Sequence, residues 1–350
     1  MLSERDYWLG FSTISGVGPA KFKKLLEEFK TAKAAWEAKK PEFSIENYLK
    51  QLKEKDVWFM TLLDEEYPEL LKKIKNPPFV LYGRGNKEIL KPVQDDNVGS
   101  ISVVGARKTT QYGREVTKLL VTELVLDGLT IVSGLALGVD AVSHMTALEN
   151  NGKTIAVLGC GVDCCNPREN QSIYDNILES GNCILSEFPL GMSPTQWTFP
   201  ARNRIIAGLS QAVLVTEGAE DSGSLITAEF ALRFNRRVFA VPGPITSQMS
   251  KGPYALIQKG AKLVTCSKDI ISELGISNSQ FPISNKAKIK ITGTKEELII
   301  LKLLGQEPLN FDEIVKKAKF KSSELGSLLS LMEIKGLVKS LSNGFFSITS

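Results

Sequence analysis

The sequence predicts an α/β protein built around a doubly wound parallel sheet. Two observations carry this. Short apolar, β-branched runs recur from NPPFVLYGRGN (Asn76–Asn86) to residue 277, and the segments between them are of helix length with apolar residues at helical spacing. Such regular alternation places helices on both faces of a parallel sheet.

In chain order, residues 1 to about 75 read as helices. Asp6–Ser12 and Lys21–Phe29 flank the break ISGVGPAKF, with Gly16, Gly18 and Pro19. A glycine hairpin of this kind either offers backbone N–H groups to a phosphate or is a tight turn without a ligand. The strands that follow are ISVVG, LTIVSG, KTIAVLG, CILSE, AVLVTE, RVFAVPG and KLVT, separated by helices such as YGREVTKLLVTELVLDG and SLITAEFALRFN. SNSQFPISNKAKIK is polar and lysine-rich, as a linker is. Three helices (Thr294–Leu304, Phe311–Lys319, Ser322–Lys335) and two brief strands around Ser342-Asn343-Gly344 then make a small winged-helix-like domain. Its third helix is poor in basic and amide side chains, which favours a protein contact at least as much as duplex reading. The expected division is a helical, helix-hairpin-helix or SAM-like domain over 1–75, the sheet domain over 76–277, a linker over 278–292 and the winged-helix-like domain over 293–350.

Composition narrows the function. A hydrophobic fraction of 43% and a charged fraction of 23% are those of a soluble globular protein. No apolar run approaches the roughly 20 residues of a membrane helix, and the charged start MLSERDYWLG is no signal peptide, so a cytoplasmic protein is expected. Five cysteines in such a chain read as reduced thiols. Cys160, Cys164 and Cys165 lack a paired C-x-x-C spacing, and the only histidine, His144, lies elsewhere, so no metal is expected. The net charge is +4, and residues 286–350 hold eleven Lys against seven acidic residues, which accounts for the whole excess.

Ligands of an open α/β sheet bind beyond the carboxyl ends of its strands. Those ends carry GARKTT, SGLALGVD, GCGVD, SEFPLG and EDSGSLIT, glycine with small hydroxyl residues, which suits a string of phosphates or a nucleotide. Gly159-Cys160-Gly161 begins a dinucleotide fingerprint but has Cys164 at its third glycine position, and no P-loop follows any strand. No cofactor is expected. His144 reads as a packed histidine rather than a general base, with Asp140 placed to fix its ring.

The stretch TFPARNRIIAGLS sets Arg202 and Arg204 against an apolar run. In a helix they lie about 200° apart, so one should face a ligand and the other a carboxylate, Glu187 or Glu217. Phe199 is a stacking surface for bases or a core anchor, and Trp197 is a second such surface or a subunit or domain contact.

The ordered motifs GARKTTQYG, SGLALGVDAVSH, GKTIAVLGCGVD, NPREN, SEFPLG, FPARNRIIAGLS, SGSLITAEFAL and VFAVPGP resemble the DNA-processing protein A (Smf) family from about Pro77 to Ser267. The resemblance implies an extended Rossmann-like fold that binds single-stranded DNA as a homodimer, protects incoming DNA in natural transformation and hands it to a RecA-type recombinase. It implies a DNA-binding set of Gly105, Arg107 and Lys108, then Phe199, Arg202, Asn203 and Arg204, with Ser222, Gly223 and Ser224 nearby. Gln196 stands where some relatives carry lysine, which lowers the charge of the groove. The alternative is a nucleotide-processing hydrolase of the phosphoribohydrolase type. In DSGSLITAE, however, Thr227 occupies the place of the catalytic glutamate, which argues against hydrolysis.

Overall fold

The computed structural model describes residues 1–91, 99–276, 294–305, 308–318, 320–340 and 344–348. The expected linker over 278–292, and Ser342 and Asn343 of the expected hairpin, lie outside them. The chain divides into two compact units, Met1–Asn278 and Ser279–Ser350.

The first unit opens with four helices: α1 (Glu4–Thr13), α2 (Pro19–Phe29), α3 (Ala32–Lys39) and α4 (Ile45–Glu54). Their starts are set by local chemistry. A Ser3–Asp6 capping box begins α1, Thr31 and Ser44 cap α3 and α4, and Pro19 takes the first position of α2, where no amide is needed. Trp8, Leu9, Phe11, Phe22 and Tyr48 from these helices share one core with Phe79 and Tyr82, and Phe22 stacks on Phe79 at 4.1 Å.

Next come β1 (Trp58–Thr61), a single turn α5 (Glu69–Lys72) and β2 (Val80–Gly85). The all-helical reading of the first 75 residues is thereby corrected at Trp58–Thr61. Four residues carry no periodicity of their own, and the strand exists through its antiparallel pairing with β2, Trp58 opposite Gly83 and Thr61 opposite Val80.

The alternating region follows expectation: β3 (Ser100–Val104), α6 (Gln111–Leu126), β4 (Thr130–Ser133), α7 (Val139–Glu149), β5 (Thr154–Val157), α8 (Gln171–Glu179), β6 (Cys183–Ser186), α9 (Thr198–Leu209), β7 (Ala212–Val215), α10 (Gly223–Arg233), β8 (Arg237–Ala240), α11 (Lys251–Gln258), β9 (Lys262–Leu263) and α12 (Ser267–Leu274). The nine strands lie in the order β1-β2-β6-β5-β4-β3-β7-β8-β9. From β6 to β9 they run parallel, while β2 joins β6 antiparallel, a pairing that needs no crossover helix.

Side-chain alternation along the strands explains the two faces. Ile101 and Val103 of β3 pack with α6, α7 and α12, whereas Val104 packs with α9, α10 and α11. Ser102 also faces α9 and donates its hydroxyl to the Ile206 carbonyl. Between β3 and β7 the winding reverses, and this is the topological switch point of the sheet.

The second unit comprises α13 (Lys295–Leu304), β10 (Leu309–Asn310), α14 (Phe311–Ala318), α15 (Ser322–Ile334), β11 (Val338–Ser340) and β12 (Phe345–Ile348). Its sheet, β10-β12-β11, closes a core of Ile300, Leu304, Ile314, Leu325 and Met332. Three helices with a small antiparallel sheet are a winged-helix domain, as expected; the short β10 was not. Among the described residues no helix is long and apolar enough to cross a membrane.

Candidate nucleic-acid interface

A groove of about 540 Å³ opens at the switch point, between the loop after β3, the loop after β7 and the first turn of α9. The loop after β3 supplies Gly105, Arg107 and Lys108; α9 supplies Phe199, Arg202 and Asn203; the start of α10 supplies Ser222, Gly223 and Ser224. Nine of the ten residues named from the sequence therefore meet on one surface. Arg204 lines a different groove.

The loop after β3 is held from below. Ala106 N–H donates to the Glu217 carbonyl at 2.8 Å, and Val139 N–H donates to the Ala106 carbonyl at 3.1 Å. The Glu217 carboxylate, 3% exposed, accepts from Thr109 Oγ1 (2.8 Å), Thr110 N–H (2.8 Å) and Thr110 Oγ1 (2.6 Å). Gly105 must be glycine, because a Cβ there would lie 2.7 Å from the Glu217 carbonyl oxygen. So supported, Arg107 and Lys108 stand exposed. The Arg107 guanidinium lies 5.2 Å from the centroid of the half-buried Phe199 ring, a cation–π arrangement.

Arg202 has a different setting. It is 4% exposed, and its guanidinium donates to the carbonyls of Gly134 and Val157, at the carboxyl ends of β4 and β5. A Cβ on Gly134 would lie 2.4 Å from Arg202 Nη1, so only glycine admits this approach. Asp140, also buried, accepts from Gly134 N–H at 3.1 Å and Ala136 N–H at 3.4 Å. Burial pushes the Asp140 carboxyl up and the Arg202 charge pulls it back; burial likewise lowers Arg202, with Asp140 opposing. Asn203 accepts from Arg202 Nε at 3.2 Å and donates to the Gly223 carbonyl at 3.2 Å, which ties α9 to α10. Ser222 caps α10 through Ser224 N–H.

Arg204 pairs with Glu187, the two side chains 12% and 10% exposed. Burial pushes the Glu187 carboxyl up, and Arg204 draws it down again. The expected division into one outward and one inward arginine is therefore corrected: both point inward. They do lie on different sides of α9, but one side meets the ends of β4 and β5 and the other meets the end of β6. Glu187 is an inward partner as expected; Glu217 serves the threonines instead.

His144 is fully buried and packed, not catalytic in setting. Thr154 spends its hydroxyl hydrogen on the Ile131 carbonyl, so His144 Nδ1–H donates to Thr154 Oγ1 at 2.8 Å. Burial, and secondarily Arg202, lowers its pKa to about 3. Asp140 does not orient the ring, because its carboxylate takes the backbone amides of the loop after β4.

The model of the DNA recombination-mediator protein A domain matches residues 58–275, and that of the DprA winged helix domain matches residues 286–344. The chain belongs to the DNA-processing protein A family. It is 34% identical to protein Smf of Synechocystis over 96% of both chains. It is 41% identical to the DNA processing protein DprA of Bacillus subtilis over 65% of this chain and 75% of that one. Among solved structures, DNA processing protein A from Streptococcus pneumoniae superimposes with a TM-score of 0.66 at 34% identity, covering 77% of this chain and 97% of that one. The Helicobacter pylori protein, described for its single-stranded DNA binding mode, gives 0.54 at 30% identity, covering 62% and 95%.

Sequence reasoning named Glu217 and Asp140 but not the groups they hold. Glu217 and Thr110 are 107 positions apart, and Asp140 reads as a partner for the nearby histidine. The one local signal was the hydroxyl pair of GARKTT beside a strand ending in glutamate.

Proposed function

We propose that this protein is a cytoplasmic single-stranded DNA-binding protein that acts as a homodimer and delivers DNA to a RecA-type recombinase. The observation that carries the binding reading is the exposed Arg107 over the half-buried Phe199 ring, beside Lys108, at the mouth of the switch-point groove. A cation for phosphates next to an aromatic face for bases is the pairing that sequence-tolerant single-strand sites use. The proposed DNA contacts are Arg107, Lys108, Phe199 and the open turn at Ser222-Gly223-Ser224. Arg202, Asn203 and Gly105 support them, and Arg204 supports the far side of α9. The family's description as a recombination mediator, and the binding mode described for the H. pylori protein, point the same way.

The reading is of a binding protein rather than an enzyme. Thr227, 1% exposed, stands at the position where the hydrolase alternative needs a glutamate. Anisotropy titrations with single-stranded and duplex oligonucleotides over a range of salt test the central claim. Single strands should bind tighter, and affinity should fall with salt as phosphate contacts are lost. Equal affinity for both forms, or release of free base from nucleoside monophosphates, would overturn it. Strand exchange by a RecA-type recombinase, assayed with and without this protein, tests the delivery step.

A further inference from the structure

We propose that a bound single strand continues past the switch-point groove, over Trp197, into a second nucleobase subsite between the α1–α2 turn and the first turn of α9. This rests on the single-strand reading above.

Helix α9 is a partition between two grooves. Phe199, Pro200 and Asn203 line the first, whereas Trp197, Ala201 and Arg204 line the second, a groove of about 790 Å³. The size falls within the range of small-molecule sites. Trp197 is 59% exposed, whereas Trp8, Trp36 and Trp58 are buried or half-buried. Its indole stands edge-on to Phe188, with ring centroids 5.7 Å apart and planes at 81°. That contact fixes the ring while leaving most of it exposed, as a stacking platform requires.

The remaining walls suit a nucleotide. Val17, Pro189 and Met192 are apolar, and Lys21, exposed at the start of α2, brings a cation to the groove. The Glu187–Arg204 ion pair also lines it. Continuity decides the occupant. Trp197 and Phe199 are two residues apart in one turn and serve the grooves on either side of α9, so one strand that crosses the helix reaches both. The glycine hairpin ISGVGPAKF, which reads from sequence as a phosphate turn or a plain one, is the outer wall of this path.

The test compares oligothymidylates of 2 and about 20 nucleotides, one too short to cross a helix about 10–12 Å wide and one longer than single-strand site sizes. Fluorescence anisotropy is measured for the full chain and for W197A, W197F and F199A. W197A should bind the longer strand about tenfold more weakly, the size of one lost stack, and the shorter strand unchanged. W197F should recover most of the loss, and F199A should weaken both lengths. The wild-type indole emission absent from W197F should be quenched by the longer strand only, a readout that stands even where W197A fails to fold.

Unchanged affinity of W197A for both lengths, beside a weakened F199A, overturns this inference and leaves the first groove standing. Equal weakening of both lengths by W197A also overturns it, because Trp197 then belongs to the first groove. A change in oligomeric state with no change in DNA affinity assigns the groove to a second copy of the chain instead. Failure of F199A and W197A alike removes the single-strand reading itself.

Discussion

Two neighbouring turns of this protein each carry a pair of cations, and they use them in opposite ways. After β3, Arg107 and Lys108 project into water from a loop pinned beneath by Glu217. At the start of α9, Arg202 and Arg204 turn inward, one to the strand carbonyls and one to Glu187. Charge in a ligand groove is thus not the same as charge available to a ligand. The buried pair builds the wall from which the exposed pair works, so their removal should separate into losses of stability and losses of binding.

The largest effect should come from Arg204. R204A leaves Glu187 buried and unpaired, which should cost about 3–5 kcal/mol in urea unfolding. R107A should change stability by no more than about 0.5 kcal/mol. A similar cost for both would erase the contrast. The pH dependence adds a check. Without Arg204, burial holds the folded-state pKa of Glu187 further above its unfolded value. Stability is then gained as pH falls, and the R204A deficit should narrow in acid.

Glu217 links the two behaviours, since it touches no exposed cation but fixes the loop that bears them. E217Q replaces one acceptor with a donor facing Thr109, Thr110 or the Thr110 amide, and should cost about 1–3 kcal/mol. It should also weaken DNA binding by loosening Arg107. Calorimetric melting and anisotropy on the same sample measure both.

His144 lies near Arg202 and tests how firmly that interior excludes new charge. Its folded pKa is lowered to about 3, below the ordinary value of 6.5, so the unfolded chain takes up the proton first. Stability is therefore full above pH 6.5 and declines below it, by about 1.4 kcal/mol between pH 7.5 and 5.5. H144Q should flatten that part of the profile.

The architecture was legible where the pattern is local. Strand–helix alternation from β3 to α12 is written as apolar runs between helix-length segments, and GARK and FPARNR stand at strand and helix ends where sheet ligands gather. What escaped depends on distance. Trp58–Thr61 becomes a strand only through β2, and Glu217 becomes a loop anchor only across 107 positions. The arginines show the limit most plainly. A helical wheel separates Arg202 from Arg204, but it cannot say that α9 is enclosed on both of those sides.

The smallest predicted effect isolates the contact between Arg107 and Phe199. R107K keeps the charge and its phosphate contact but exchanges the planar guanidinium over Phe199 for an ammonium. The salt dependence of binding should then stay as in wild type, while affinity falls by about 0.5–1 kcal/mol, the size of an exposed cation–π contact. R107A should instead reduce the salt slope by about 1. A slope lowered equally by both substitutions would mean that lysine cannot reach the phosphate, and that the planar guanidinium is itself needed for that contact.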